Sequence, residues 1–273
     1  MAGLVATAFS SEEAAAVLAD PELLAAWAAQ GAAFAVIGID RLDPDVPASD
    51  LDPSLLGTAL AAAGGPAVLV AAAAHIDLPY NLARRILSLD HLTRGRAGVL
   101  LGVRDTRGRT PDAWSGAGLG TGAELGPETA AEVVRALTRL WWSWPLASVV
   151  ADRESGILVR SDRIRRVDQR GVVTTAGPLS VPASVQGAPV LAWYGTDPPD
   201  GVDFTLASSA ERVLLRTVDP GPPTRTAGEL LRATAGLPRG TGTLREILGL
   251  PTPADPLPDA PAAFPAPSPD VYR

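Results

Sequence analysis

Two side chains at the ends of apolar runs are of a type that could do chemistry: His75 and Asp40. His75 is one of 2 histidines. Imidazole titrates near neutrality, which makes it the candidate general acid or base; the alternative is a hydrogen-bonded loop histidine. Asp40 either lines the mouth of a site or is a solvated turn carboxylate. Both follow runs that read as buried strands, Phe34–Ile39 and Ala67–Ala72, and barrel enzymes place their sites at strand C-termini. Arg104 and Asp105 follow the run Ala97–Val103 in the same way, as groups reaching inward or as a surface pair. Gly236–Thr243, reading GLPRGTGT, opens a helix and offers an anion nest with Arg239. Thr243 and Glu246 also make a plain capping box, and that structural reading is the stronger one.

Composition narrows the chemistry. The absence of cysteine excludes disulfides, thiol catalysis and cysteine-bound metal, and 2 histidines cannot build a multi-histidine zinc site. A formal charge of −7 argues against nucleic acid or an anionic membrane as partner. All 23 cations are arginine. No apolar run approaches the ~20 residues that span a bilayer, and the N-terminus has no basic region like that of a signal peptide. A cytoplasmic location is expected.

The elements that must position these groups alternate. Strand candidates are Leu4–Phe9, Phe34–Ile39, Ala67–Ala72, Ala97–Val103, Val190–Tyr194 and Arg212–Thr217, apolar almost throughout, as strands covered on both faces are. Between them lie Ala/Leu-rich helical runs with clear signals. Ser10 and Glu13 form a capping box, Asp20-Pro21 and Asp52-Pro53 pair a cap with a first-turn proline, and Gly31 and Gly64 act as stops. Repeated strand–helix units imply parallel strands, in a barrel or a doubly wound sheet. Residues 1–250 read as one α/β domain, with an excursion over Ala151–Pro189 holding a hairpin near Arg166–Thr175. A Pro-rich tail over 251–273 either packs as an arm or stays mobile.

Longer blocks carry a family resemblance. Pro79-Tyr80-Asn81-Leu82-Ala83-Arg84-Arg85, Leu89-Asp90-His91-Leu92 and Gly95-Arg96-Ala97-Gly98 come first. Asp152-Arg153-Glu154-Ser155-Gly156, Gly177-Pro178-Leu179-Ser180-Val181-Pro182 and Gln186-Gly187-Ala188-Pro189-Val190 follow. In this order, over roughly residues 33–207, the chain resembles the nitrilotriacetate monooxygenase branch of the luciferase-like flavin monooxygenases. The resemblance implies a TIM (β/α)8 barrel, here incomplete after its sixth strand. It implies a monooxygenase that takes reduced FMN from a separate flavin reductase and uses O2 on a small organic substrate, as a homo- or heterodimer. The alternative is a non-catalytic helper subunit paired with a full-length catalytic homologue.

The matched positions also show departures. Asp40-Arg41-Leu42 keeps the family's ending to the second strand. Ala73-Ala74-His75-Ile76 replaces a series of hydroxyls and a phenol, leaving His75 as the polar group there. The asparagine that faces the flavin ring aligns with Leu100, and a threonine with Val103; neither replacement can hydrogen-bond through its side chain. At the fifth strand Trp193 and Tyr194 stack on an isoalloxazine or fill the core. Gly195 is kept, and Thr196 keeps a hydroxyl near where the family holds the flavin phosphate, beside a disfavouring Asp197. Arg84, Arg85, Asp90, His91 and Arg96 sit on or beside a packing helix and read as structural.

Overall fold

A computed structural model describes residues 4–74, 76–103, 126–206, 227–237 and 239–266. Four parallel strands come first: β1 (Ala6–Phe9), β2 (Phe34–Ile37), β3 (Ala67–Ala73) and β4 (Ala97–Gly102). An antiparallel hairpin, β5 (Val167–Gln169) and β6 (Thr175–Gly177), interrupts the sheet. The chain then returns to add β7 (Val190–Tyr194) beside β4 and β8 (Phe204–Leu206) beside β7, both parallel. The six-stranded sheet thus follows chain order and curls into half a barrel.

The helices form where their caps are written. Ser10 and Glu13 exchange hydrogen bonds at the start of α1 (Ser11–Ala19). Asp20 and Asp52 cap α2 (Pro21–Ala29) and α3 (Pro53–Ala62), each with proline at the first turn. In α4 (Pro79–Leu92) the stripe Leu82, Ile86 and Leu89 is buried. It packs beside α5 (Pro127–Trp142), whose Trp141 donates its indole N–H to the Ala83 carbonyl at 3.1 Å. Trp27 of α2 reaches α3 similarly, donating to the carbonyls of Leu60 and Gly64. α6 (Ala227–Thr234) covers the same side, and α7 (Leu244–Leu248) closes the lower end of the sheet with its own capping box.

Alternation along each strand separates two faces. The outer face, under the helices, takes Phe9, Ile37, Val68, Val70, Val99, Leu101, Leu191 and Trp193. The inner, concave face takes Ala6, Ala8, Phe34, Val36, Leu69, Ala71, Leu100, Ala192 and Leu206, with Tyr194 and Phe204 packed against it. Ile39, Leu42 and Val46, from the loop after β2, fold over this inner face.

Several expectations are corrected. β2 stops at Ile37, not Ile39, because Gly38 adopts φ 83 and turns the chain into a short 3-10 turn over Ile39–Arg41. The sixth strand of the sheet is β8, a run of 3 residues too short to announce itself; the expected strand Arg212–Thr217 lies outside the described residues. The hairpin stands where the sequence places it. Residues 251–266 lie along the excursion: Arg165 pairs with Asp255, Arg166 N–H donates to the Pro261 carbonyl at 2.8 Å, and Leu257 is buried.

Candidate functional site

Parallel strands point one way, so the ends of β2, β3, β4 and β7 share one rim, and that rim carries an unusual density of buried charge. Asp40, Arg41, Asp43 and Asp77 are all buried there. Asp40 is fully buried, which excludes the solvated-turn reading. Its carboxylate sits at the start of α1, accepting from Ser11 N–H at 2.6 Å, the Ser11 hydroxyl at 2.9 Å and Ser49 N–H at 3.3 Å. Those donors and the positive end of the helix stabilise the anion. Asp40 therefore anchors the first two βα units to each other.

Asp77 binds three groups. Its Oδ2 accepts from Ala73 N–H at 2.9 Å and from Arg41 Nη1 at 2.9 Å, while Oδ1 accepts from Arg85 Nη2 at 3.1 Å. The Arg41–Asp77 pair is almost wholly shielded, with side chains 5% and 8% exposed. Arg85 continues outward to Asp52 and Ser54 at the cap of α3. Half burial of Asp52 works to raise its pKa. The Ser54 hydrogen bonds and the Arg85 guanidinium outweigh that burial and hold the carboxyl below its ordinary range. The result is a chain of alternating charges running from the strand ends to the outer helices.

Asp43 is different. It is 2% exposed, its Oδ1 accepts from Asp45 N–H at 2.9 Å, and its Oδ2 has no hydrogen-bond partner. It follows Leu42, whose side chain lies 3.0 Å from where a Cβ on Gly102 would stand. This part of the loop therefore reaches across to the end of β4.

The aromatic pair at the end of β7 divides. Tyr194 packs against the inner face and is half-buried, so it stands at the mouth. Trp193 lies on the outer face among α4 and α5 side chains, 3% exposed. The expectation that both rings could meet one ligand is corrected: neighbours on a strand point to opposite sides. Gly195 has φ 126, a conformation that favours glycine. Thr196 is exposed and donates its hydroxyl to Asp197 at 3.0 Å. His75, Arg104 and Asp105 lie outside the described residues; Ala74 and Ile76, on either side of His75, are buried.

Leu100 is fully buried on the inner face, at a position where only packing is available to it. Asp77 and Asp43 carry no signal as a pair in the sequence. Asp77 stands two residues before α4, which begins at Pro79 with Leu78 as its N-cap and no side-chain cap. Arg85 reads as a packing-helix residue and proves to reach the rim. Asp90 and His91 are structural as expected: Asp90 meets Ser184 and Gln186, and His91 Nε2 lies 2.7 Å from the Pro182 carbonyl oxygen. Among the described residues no group of three or more acidic or histidine side chains is arranged to hold a metal ion.

The rim fits a flavin in part. Tyr194 is partly exposed at the mouth and could meet a ring, whereas Ala71, Leu100 and Ala192 are fully buried in one cluster with Ile39, Leu42 and Val46. For the phosphate, the matched Thr196 comes with an adjacent carboxylate that already takes its hydroxyl.

No protein-family model matches the chain. Dibenzothiophene-sulfone monooxygenase of Rhodococcus erythropolis is 31% identical over 123 residues, 44% of this chain and 26% of that protein. One of the subunits of pristinamycin IIA synthase of Streptomyces pristinaespiralis is 30% identical over 192 residues, 69% of this chain and 59% of that protein. The chain thus spans less than two thirds of either relative. Among solved structures, DmoA from Hyphomicrobium sulfonivorans superposes with a TM-score of 0.53 at 23% identity, over 76% of this chain and 52% of that one, a likeness of fold.

Proposed function

We propose, from the premise that this chain belongs to the luciferase-like flavin-dependent monooxygenases, that it uses reduced FMN and O2 to oxygenate a small organic substrate. The observation that carries this reading is the kinship with proteins named for such activity. When bound, reduced FMN supplies the electrons that activate O2, so the protein is left to bind, orient and exclude water. Tyr194, half-buried at the mouth, would cover one side of the ring. His75 is the residue we assign to proton transfer, and Gly195 and Thr196 the cofactor-side loop. Asp40 contributes by fixing the loop after β2. Trp193 backs Tyr194 from the far side of the sheet.

The reduced flavin would come from a separate reductase. Association as a homo- or heterodimer belongs to the same proposal, supported by Leu55 and Leu92, each 72% exposed, beside a groove between α3 and α4. Such a contact should bury more than ~1,000 Å², and a stable monomer on sedimentation at micromolar concentration, with no partner recovered, would remove it. A cytoplasmic location accompanies the reading; no helix among the described residues is long and apolar enough to cross a membrane.

The test is an anaerobic titration with FMN, FMNH2 and riboflavin. Each lost hydrogen bond costs about 0.5–1.5 kcal/mol. Losing those of the residues replaced by Leu100 and Val103, with a poor phosphate seat, should weaken FMN by roughly one to three decades. Riboflavin should bind within about tenfold of FMN, because the phosphate gains little. No FMNH2 binding at millimolar levels would end the enzyme reading and leave the helper-subunit reading in its place. Tight FMN binding would show that the changes at Leu100 and Val103 are compensated.

A further inference from the structure

We propose that the open groove between α3 and α4 seats a second copy of this chain, with Arg84 of each copy paired to Asp50 of the other across a two-fold axis. The inference rests on the association proposed above and names its surface, its partner and its polar contact. Helix α4 carries two stripes. Leu82, Ile86 and Leu89 are buried in the core, while Arg84, Ser88 and Leu92, spaced four apart, form a second stripe along the groove. Leu55 of α3 stands on the opposite wall, and Leu55 and Leu92 are each 72% exposed. Single exposed leucines are ordinary. Two that flank one groove, with Leu51 38% exposed just before α3, make an apolar patch.

The polar groups along this stripe are unengaged. The Arg84 guanidinium is exposed, and neither it nor the hydroxyls of Ser88 and Ser180, which also line the groove, has a hydrogen bond or ion pair. The neighbouring Arg85 is held by Asp52 and Asp77. Among the described residues the lining holds no carboxylate, so the groove offers a cation and leucines to an occupant that brings an anion and apolar side chains. This chain brings both at the groove's own edge. Asp50 is exposed and unpaired, two residues before the Asp52 that Arg85 holds, and Leu51 and Leu55 follow it. A two-fold contact needs a patch that carries both halves of the match, since each side meets its own copy. A separate acidic partner would use the cation and the leucines but not Asp50.

The experiment is sedimentation equilibrium of the full chain at micromolar concentration, beside Leu92→Glu, Arg84→Glu, Asp50→Arg and the double variant Arg84→Glu/Asp50→Arg. All three positions are exposed, so melting temperatures should stay within about 3 °C of the wild type. The wild type should be dimeric. Leu92→Glu and each single charge reversal should weaken self-association on the order of tenfold or more, because every contact occurs twice across the axis. The double variant should return to within about threefold of the wild type, a recovery that damage to the fold would not give. A dimer unmoved by any variant overturns the proposal and leaves the association reading standing on another surface. Weakened single variants without recovery in the double variant overturn it too, since Arg84 and Asp50 would then not meet. A monomeric wild type overturns both this proposal and the homodimer reading; if it then binds a full-length luciferase-like homologue, the heterodimer reading alone survives. FMNH2 affinity, read on the same samples, should be equal in all of them, so that failure of the flavin reading shows separately.

Discussion

Two networks of buried charge, one at each end of the half-barrel, differ in how fully their members are paired. At the N-terminal end, Asp90 accepts from Gln186 Nε2 at 2.7 Å, from Ala97 N–H at 3.3 Å and from the Ser184 hydroxyl. Gln186 Oε1 in turn accepts from Arg245 N–H. The Arg245 fork meets both oxygens of Asp203 at 2.8 Å and donates to the carbonyls of Ala188 and Pro251. The side-chain hydrogen-bonding atoms of these four residues are all engaged. At the C-terminal rim, the Arg41–Asp77–Arg85 chain is joined by an Asp43 oxygen and an Arg85 Nε that have no partner. The first network is fully paired; the second leaves buried polar atoms without partners at the C-terminal ends of the strands.

The comparison breaks most directly at Arg245. Arg245→Ala would leave Asp203 without its guanidinium in a shielded place and should cost about 3–5 kcal/mol by urea unfolding. Flavin affinity measured in the cold should hold. A loss of affinity in a still-folded variant would mean that the two ends are coupled.

Asp77→Asn probes the rim and should cost less, about 2–3 kcal/mol, because Arg85 keeps Asp52. Flavin binding should weaken with it, since Asp77 holds the end of β3 through Ala73 N–H. Equal affinity in wild type and variant would assign the whole charge chain to folding. Leu100→Asn tests the same rim by addition. It should lower stability by about 1–2 kcal/mol and tighten FMN by about two- to tenfold, both readable in one set of flavin titrations and melts.

The smallest effect is a pH dependence at the closed end. Burial pushes the Asp90 carboxyl above its ordinary 3.8, against hydrogen bonds from Ser184, Ala97 and Gln186 that work to lower it. A carboxyl whose pKa is higher folded than unfolded binds its proton more tightly in the native state. Its contribution is therefore greatest below the unfolded value and is lost as pH rises through the folded one. The stability difference between wild type and Asp90→Asn should grow as pH falls from neutrality towards 3.8. A flat difference across that interval would show that the three donors offset burial fully.

Much of the framework is legible in the sequence because it is encoded locally. The capping pairs Ser10 with Glu13 and Thr243 with Glu246, and the Asp-Pro starts, act over two or three residues and form as read. The strands β3, β4 and β7 appear because they are apolar on both faces. β8 escapes such a reading because 3 residues hold a strand only when a neighbour supplies the ladder. At the site, the split of Trp193 from Tyr194 follows from strand alternation alone. The burial of Asp40 does not, since it depends on Ser11, 29 residues earlier.

By itself, then, the sequence determined the order of elements, their caps, the apolar interior and the kinship, all of which are local or linear properties. Tertiary structure alone decided which charges are paired. Ser184 meets Asp90 across 94 positions and Arg245 meets Asp203 across 42, whereas Asp43 is left with a buried oxygen that has no hydrogen-bond partner. Pairing of buried charge depends on which surfaces the folded chain brings within hydrogen-bonding distance, and that distance is set by the curl of the sheet rather than by spacing along the chain.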